Sequence, residues 1–265
     1  MSSDYSDAIK RFSGFAGLYN QFRPSPPDQL GALLAQFTGA DFPELVVDLG
    51  CGTGLSTRYW ASRARHVIGI EPSPDMLREA QAQVPIPNVA YQSGFGHQTG
   101  LPDQCADIVT CCEALHWMEP QATFAEVVRL LRPGGVFAWF NTLEPILTPW
   151  EADQAYLRFQ RRVHALDEER QVTRSVLRWP KAEYFQVMQS SFRHARQFQL
   201  QHVTRWGAEH LIGLANTRGD VQSLFKLGVS QTEMGLDAFA AEIHRIMGEQ
   251  PRPWYWSWEG GLGLK

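Results

Sequence analysis

The sequence has no run of basic residues, no long apolar segment and few cysteines. Lys and Arg total 24 against 28 Asp and Glu, so the formal net charge is −4, which argues against nucleic acid as the main partner. No window reaches the roughly 18 uncharged apolar residues that span a bilayer. The N-terminal stretch also lacks the apolar core of a signal peptide. We therefore expect a cytoplasmic protein with neither a nucleic-acid nor a membrane partner.

The four cysteines lie at positions 51, 105, 111 and 112. They form no Cys-x-x-Cys pair and have no histidine at the spacing of a metal ligand, so we expect no metal site. Reduced thiols in a reducing compartment are the simplest interpretation.

Short apolar runs alternate with helical patterns from residue 45 to residue 142, which is typical of βαβ units in a parallel sheet. Ser73 can cap the helix after the second strand, and Pro74 suits its first position. Two later strand-like runs, "RQFQLQHVTRW" and "PWYWSWEGGLGL", are expected to complete the sheet. The predicted fold is a doubly wound, seven-stranded, mostly parallel α/β sheet. Its first five strands are predicted at 45–49, 66–70, 89–92, 108–112 and 136–140.

The remaining segments divide the chain into three parts. Residues 1–40 are predicted to be N-terminal lid helices, 41–148 and 191–265 the α/β core, and 149–190 a charged helical cap inserted after the fifth strand. Because the lid and the cap have no role in the sheet, we expect them to close over a ligand and to form a pocket for a second substrate.

Three glycines at alternate positions in "VVDLGCGTGLSTRYW" separate the first strand from a helix. Missing Cβ atoms let the backbone bend sharply and let a ligand approach the main chain. The dinucleotide fingerprint G-x-G-x-x-G is the nearest alternative, but here the third glycine comes one residue early. Glu71 ends the second strand and suits a ribose diol in either kind of cofactor, since a carboxylate accepts hydrogen bonds from both hydroxyls.

Four motifs carry a resemblance to a known family: "VVDLGCGTG", "IGIEPSPDML", "LPDQCADIVTCCEALHW" and "LLRPGGVFAWF". In this order and spacing they resemble a class I S-adenosylmethionine-dependent methyltransferase. "YNQFRPSPP" and "EALHW" further resemble the small-molecule branch that includes trans-aconitate methyltransferases. The resemblance implies a Rossmann-like methyltransferase fold, S-adenosylmethionine as cofactor, S-adenosylhomocysteine as product and a small-molecule acceptor.

The resemblance also implies a role for each motif residue. Asp48 would face the amino group of the cofactor directly or through water; a carboxylate that only stabilises the turn is the alternative. The glycine turn would support the methionine portion, and Glu71 would hold the ribose. Met76 would pack on the adenine, with Phe95 and Gly96 on the other side, and Glu113 would lie near the methionine end. The expected cofactor-binding set is Tyr19, Arg23, Asp48, Gly50, Gly52, Gly54, Glu71, Pro72, Met76, Phe95, Gly96 and Glu113.

Two further pairs are candidates for the site. Tyr19 and Arg23 lie four residues apart, on one helical face, and are expected to fold over the cofactor with Arg23 near its carboxylate; a surface pair is the alternative. His116 and Trp117 follow the fourth strand, where ligands of such sheets lie. His116 is the candidate catalytic residue, and both would contact the acceptor; a packed helical turn is the alternative.

Three classes of function remain after this reading. The first is an enzyme that transfers a methyl group to oxygen, nitrogen or carbon of a small organic acceptor, mainly through positioning and desolvation. The second is a protein that binds the cofactor without methyl transfer. The third is a nicotinamide-dependent oxidoreductase, which the absence of a Tyr-x-x-x-Lys pair disfavours.

Overall fold

The structure, a computed structural model, describes residues 9, 14–172, 178–248 and 250–265. Seven strands form one sheet in the order β3-β2-β1-β4-β5-β7-β6, in which β7 alone runs antiparallel to its neighbours β5 and β6. The predicted doubly wound, mostly parallel sheet is confirmed. The strands are β1 Leu45–Leu49, β2 His66–Glu71, β3 Val89–Ser93, β4 Ala106–Cys112, β5 Leu131–Leu147, β6 His194–Trp206 and β7 Arg252–Leu264.

The helices follow the strands as a βαβ pattern requires, and two 3-10 turns, Leu115–Trp117 and Lys181–Glu183, join them. The α-helices are α1 Ala16–Phe22, α2 Gln29–Thr38, α3 Leu55–Trp60, α4 Pro74–Ala82, α5 Pro120–Leu130, α6 Trp150–Arg170, α7 Tyr184–Ser191, α8 Ala208–Asn216, α9 Gly219–Lys226, α10 Gln231–Met234 and α11 Leu236–Met247. Among these helices of the described chain, none is both long and apolar enough to cross a membrane.

The fifth strand is much longer than its predicted span of 136–140. It begins directly after α5 and continues to Leu147, because β7 pairs with it antiparallel well beyond the end of β4. The alternation in "WYWSW" has the expected effect: Trp254, Trp256 and Trp258 are at most 1% exposed, whereas Tyr255 is 49% exposed. One face of this ribbon is therefore part of the core.

Helices cover both faces of the sheet. One face packs against α2, α3, α6, α8 and α11, and the other packs against α5 and α7. Residues 149–190, predicted as a single cap, are thus divided: α6 lies on the first face and α7 on the second. The physical reason is that β5 has buried apolar side chains on both faces: Val136, Ala138 and Phe140 lie in the core that includes α6, and Phe137 and Trp139 lie in the core that includes α7. Residues 173–177 of this segment, and residues 1–8 and 10–13 of the predicted lid, lie outside the described residues.

Candidate active site

A deep cleft opens at the carboxyl ends of β1, β2 and β4, the edge where ligands of parallel sheets bind. Its empty space, including the open mouth, is about 1240 Å³. The turn after β1 forms its floor, the end of β2 one wall and the turn after β4 the other, while α1 and the prolines that follow it lie over the mouth. Eleven of the predicted site residues line this cleft: Tyr19, Arg23, Gly50, Gly52, Glu71, Pro72, Met76, Phe95, Gly96, Glu113 and Trp117.

The glycine turn adopts a backbone that ordinary residues rarely take. Gly50, Gly52 and Gly54 have φ angles of 65°, 56° and 82°, all in the left-handed region that favours glycine. A Cβ at Gly52 would meet no atom within 4 Å, so it would project into the open cleft. A Cβ at Gly54 would lie 2.3 Å from the Tyr91 hydroxyl oxygen. Gly54 therefore serves packing of the turn and, unlike Gly50 and Gly52, does not line the cleft.

Asp48 lies beneath the turn rather than in the cleft. Its side chain is fully buried and accepts hydrogen bonds from the hydroxyls of Ser56 at 2.6 Å, Thr57 at 2.8 Å and Thr110 at 2.9 Å. Burial raises the pKa of the carboxyl, and these three hydrogen bonds oppose that shift. Because these donors occupy both oxygens, the structure makes Asp48 the anchor that joins β1, α3 and β4. It does not bring Asp48 to the ligand surface.

Glu71 is the carboxylate that the structure does place in the cleft. One oxygen accepts from the Gly52 amide at 2.9 Å and the other from the Ser73 amide at 2.8 Å. The side chain is only 8% exposed, and this burial raises its pKa to about 7, although the two amides partly oppose the shift. Each oxygen keeps a further lone pair, so the carboxylate can accept two more hydrogen bonds from a diol.

Two buried polar atoms in the cleft wall have no hydrogen-bond partner among the described residues: Ser73 Oγ and Arg23 Nε. Ser73 stands at the N-cap of α4 and Pro74 at its first position, as predicted, but the Ser73 side chain makes no capping hydrogen bond. The Ser73 amide donates to Glu71. A buried group without a partner is costly, and a polar ligand in the cleft would supply both partners. The residues present therefore fit S-adenosylmethionine.

Met76, Phe95 and Gly96, which are predicted to enclose an adenine, line one wall of the cleft. Met76 is 3% exposed, whereas Phe95 is 41% exposed and stacks on His97 with ring centroids 5.4 Å apart. A Cβ at Gly96 would lie 2.6 Å from the Met118 sulfur, so only glycine fits there without displacing that side chain. Sequence reasoning missed His97, which lines the cleft beside Phe95.

Tyr19 of helix α1 and Arg23, which caps the helix with an extended backbone, both line the cleft. The Arg23 guanidinium lies 5.0 Å from the Tyr19 ring centroid and donates through Nη2 to the Thr217 carbonyl at 3.0 Å. Burial raises the pKa of the Tyr19 hydroxyl, which keeps it protonated as a hydrogen-bond donor. Phe22, on the same helix, packs on Gly213 of α8, where a Cβ would lie 2.4 Å from the ring.

Glu113 follows β4 with a φ of 53°, which is unusual for a residue other than glycine. Its Oε1 accepts from the Thr142 amide at 2.6 Å and from the Thr142 hydroxyl at 2.5 Å. Thr142 and its β7 neighbour Trp258 both line the cleft. Sequence reasoning missed both, because their place depends on the antiparallel pairing of β5 with β7, which no local pattern specifies.

The structure separates the two predicted acceptor residues. Trp117 lines the cleft, and the Arg178 guanidinium lies 4.6 Å above its ring. His116 is not among the lining residues; its ring centroid is 4.6 Å from that of Trp117, and its carbonyl accepts from the Trp179 amide at 2.9 Å. Both residues belong to a 3-10 turn, Leu115–Trp117, in which successive side chains point in different directions.

The predicted closure of residues 149–190 over the ligand also differs from the structure. Of the described residues in that segment, none lines the cleft, whereas α1 and Pro24 and Pro26 after it do. The thiols of Cys51 and Cys112 line the cleft as well, but burial raises the pKa of each well above its usual value. Both are therefore protonated near neutral pH and do not serve as nucleophiles.

Comparisons with known proteins agree with this geometry. Residues 47–139 match the family model for a methyltransferase domain. An uncharacterized methyltransferase of Mycobacterium tuberculosis is 33% identical over 136 residues, 51% of this chain and 53% of that protein. The malonyl-[acyl-carrier protein] O-methyltransferase of Pectobacterium atrosepticum is 33% identical over 152 residues, 56% of each chain. A solved structure, assigned as a type II methyltransferase from Anaeromyxobacter dehalogenans, superposes with a TM-score of 0.70 at 23% identity, covering 92% of this chain and 98% of that one.

These findings agree on one kind of domain. Residues 47–139 match the model of a methyltransferase domain, and the sheet has the Rossmann-like fold of the solved methyltransferase structure that superposes on it. The chain spans about half the length of the two curated relatives named above. The family model matches residues 47–139, which contain the glycine turn and Glu71, whereas Thr142 and Trp258 of the cleft lie outside that range.

Proposed function

We propose that the protein transfers a methyl group from S-adenosylmethionine to oxygen, nitrogen or carbon of a small organic acceptor. The observation that carries this proposal is the pairing of Glu71 with the glycine turn. The carboxylate is oriented by the Gly52 and Ser73 amides and keeps two lone pairs for a diol beside a turn that admits close backbone approach. Glu71 alone would suit either kind of cofactor, but the third glycine comes one residue earlier than in the dinucleotide fingerprint, which favours S-adenosylmethionine over a nicotinamide dinucleotide.

Named residues would hold each part of the cofactor. Glu71 would hold the ribose, Met76 and Phe95 would enclose the adenine, and Arg23 would offer its unpartnered Nε to the carboxylate. Gly50 and Gly52 would support the methionine portion, with Glu113 near its amino end. When bound, the cofactor supplies an electrophilic methyl group on a positively charged sulfur.

This chain would contribute positioning and exclusion of water, because a neutral thioether leaves without acid catalysis. Trp117, Trp258 and Thr142 form the wall next to Glu113, so we place the acceptor against them. His116 enters the proposal as the neighbour that orients Trp117, since its ring lies 4.6 Å from the Trp117 ring and outside the cleft lining.

Carboxylic acids are the first acceptors to test. Both the trans-aconitate methyltransferases that the sequence resembles and the Pectobacterium relative are named for acids, which are already deprotonated and need no base. Amines and alcohols form the second group, because the fixed Glu113 carboxylate can accept a hydrogen bond from either.

Isothermal titration with S-adenosylhomocysteine tests the cofactor assignment, and release of that product tests transfer across the acceptor panel. The matched control is Glu71→Ala, which should lower both signals. Binding that Glu71→Ala weakens, with no product from any acceptor class, would favour a protein that binds the cofactor without methyl transfer. No binding by the wild-type protein would overturn the proposal.

A further inference from the structure

We propose that Arg58 is a positioning residue that ties helix α1 to the glycine turn and thereby sets the rate at which the cofactor leaves. This inference rests on the proposed function, because it concerns the same cleft. Arg58 lies on α3, is half-buried and does not line the cleft. Its effect on the cofactor would therefore pass through the groups that it holds.

The Arg58 guanidinium joins two parts of the chain. Through Nη1 it donates to the Thr53 carbonyl at 2.8 Å, and through Nη2 it donates to Asn20 Oδ1 at 2.6 Å. The Thr53 hydroxyl donates to the same Asn20 oxygen at 3.4 Å. Thr53 is a buried residue of the glycine turn and lines the cleft. One planar group with donors in a fixed fork thus holds the turn and the lid in register.

Helix α1 needs such a tie because little else fixes it. It has seven residues, and none of them is fully buried, whereas isolated helices shorter than about 12 residues are marginal in water. Phe22 on Gly213 and Arg23 on the Thr217 carbonyl join it to the region of α8. It also lies against α4, where a Cβ at Gly17 would be 3.7 Å from a Glu79 carboxylate oxygen. Asn20 provides its hydrogen bonds to Arg58 and to the glycine turn.

Tyr19 shows why this contact matters for the ligand. It immediately precedes Asn20 and lines the cleft, so the position of Asn20 fixes how Tyr19 covers the site. Without the Arg58 donors, α1 stays attached to α8 but can swing away from the glycine turn. A ligand beneath a cover leaves only when the cover opens, so loss of the tie should raise the dissociation rate more than it lowers the association rate.

The test compares Arg58→Ala, Asn20→Ala and the double variant with the wild-type protein. Arg63→Ala is the matched control, because Arg63 follows the same helix but holds Asp28 at 2.7 Å and the Tyr59 carbonyl at 2.7 Å, away from the cleft. Stopped-flow displacement should show S-adenosylhomocysteine leaving about 3- to 10-fold faster from each single variant, as expected for one lost charge-assisted hydrogen bond that is partly exposed.

The effect of the double variant should be smaller than the sum of the two single effects, because both single changes remove the Arg58–Asn20 contact. Asn20→Asp, which still accepts from Arg58, should keep the wild-type rate. In the ligand-free protein, amides 16–22 should exchange faster in Arg58→Ala and Asn20→Ala but not in Arg63→Ala. This exchange measurement does not depend on cofactor binding, so it separates a failure of the tie from a failure of the proposed function.

Three outcomes would overturn the inference. The first is an Arg58→Ala effect that is equally large in the Asn20→Ala background, which would mean that Arg58 acts on the turn alone. The second is an unchanged dissociation rate in a folded Arg58→Ala protein. The third is unchanged exchange of amides 16–22 when Arg58 is removed.

Discussion

The pKa of Glu71 makes cofactor binding dependent on pH near neutrality. Burial raises that pKa from its usual 4.5 to about 7 in the ligand-free protein. Ribose hydroxyls that donate to the carboxylate favour its charged form, so the pKa falls when ligand binds. Binding must therefore release a proton from Glu71, and affinity should fall as pH falls below about 7.

The magnitude follows from the fraction of Glu71 that is ionised. That fraction is about one half at pH 7 and about 0.03 at pH 5.5, so S-adenosylhomocysteine should bind roughly 15-fold more weakly at the lower pH. Glu71→Gln should remove this dependence, while Glu71→Ala should weaken binding by roughly 1.5 to 3 kcal/mol, about 10- to 150-fold, at pH 7. Isothermal titration over this range is the assay. His97→Gln is the control, since His97 also lines the cleft.

The same pKa shift also makes the stability of the fold depend on pH, and this dependence can be measured without ligand. Because the folded-state pKa exceeds the unfolded value, the folded protein binds the proton more tightly between about pH 4.5 and 7. The stability contributed by Glu71 is present below this window and is lost as pH rises through it, by about 3 kcal/mol in total. Glu71→Gln should remove that slope from denaturant unfolding curves. A wild-type affinity that stays constant from pH 7 to 5.5, or a slope retained in Glu71→Gln, would refute the reasoning.

Three further sets of variants test the rest of the site. Gly52→Val should weaken S-adenosylhomocysteine binding by at least about 100-fold in calorimetry, because its side chain enters the cleft. Gly39→Ala is the control: Gly39 has a similar φ of 66° and a Cβ there meets no clash, so the change should cost about 1–2 kcal/mol of stability and leave binding intact. Asp48→Asn should lower the free energy of unfolding by about 2–4 kcal/mol in urea titrations, because an amide group meets hydroxyl donors in a buried site; a change under 0.5 kcal/mol would remove Asp48 as an anchor. Trp117→Ala should raise the KM for the acceptor by about 10-fold or more, and His116→Ala should raise it by less. Steady-state kinetics measures both once an acceptor is known. A loss of kcat of about 10²- to 10⁴-fold in His116→Ala would instead show that His116 acts as a base.

The cofactor half of the site was largely predictable from sequence. Glu71, Gly52 and Met76 belong to local patterns in which a strand, a turn and a helix follow one another, and such neighbours along the chain stay neighbours in space. The predicted β1 matched the structure, because its length is set by local turn residues. Asp48 shows the limit of this reasoning: its motif predicted a ligand contact, but its direction depends on three hydroxyls, one of them contributed by β4.

The acceptor half was much less predictable, because distant pairings build it. Thr142 and Trp258 meet only through the antiparallel β5–β7 register, and the lid reaches its place through contacts of Arg23 and Phe22 with α8. His116 and Trp117 are adjacent in the chain, but it is Trp117 that lines the cleft. They lie in a 3-10 turn, which is too short for periodicity to reveal which side chain faces the cleft.

The attachment of α1 to α8 also has a consequence during synthesis on the ribosome. Arg23 and its acceptor at Thr217 are 194 residues apart in the chain. At roughly 5–20 residues per second, the helix emerges about 10–40 s before the surface that receives it. The glycine turn and Glu71 are synthesised well within that interval, so a nascent chain can present this part of the cleft uncovered, although Trp258 of the lining is made later still. The site is therefore covered late in biosynthesis, after the C-terminal helices have been made and have packed.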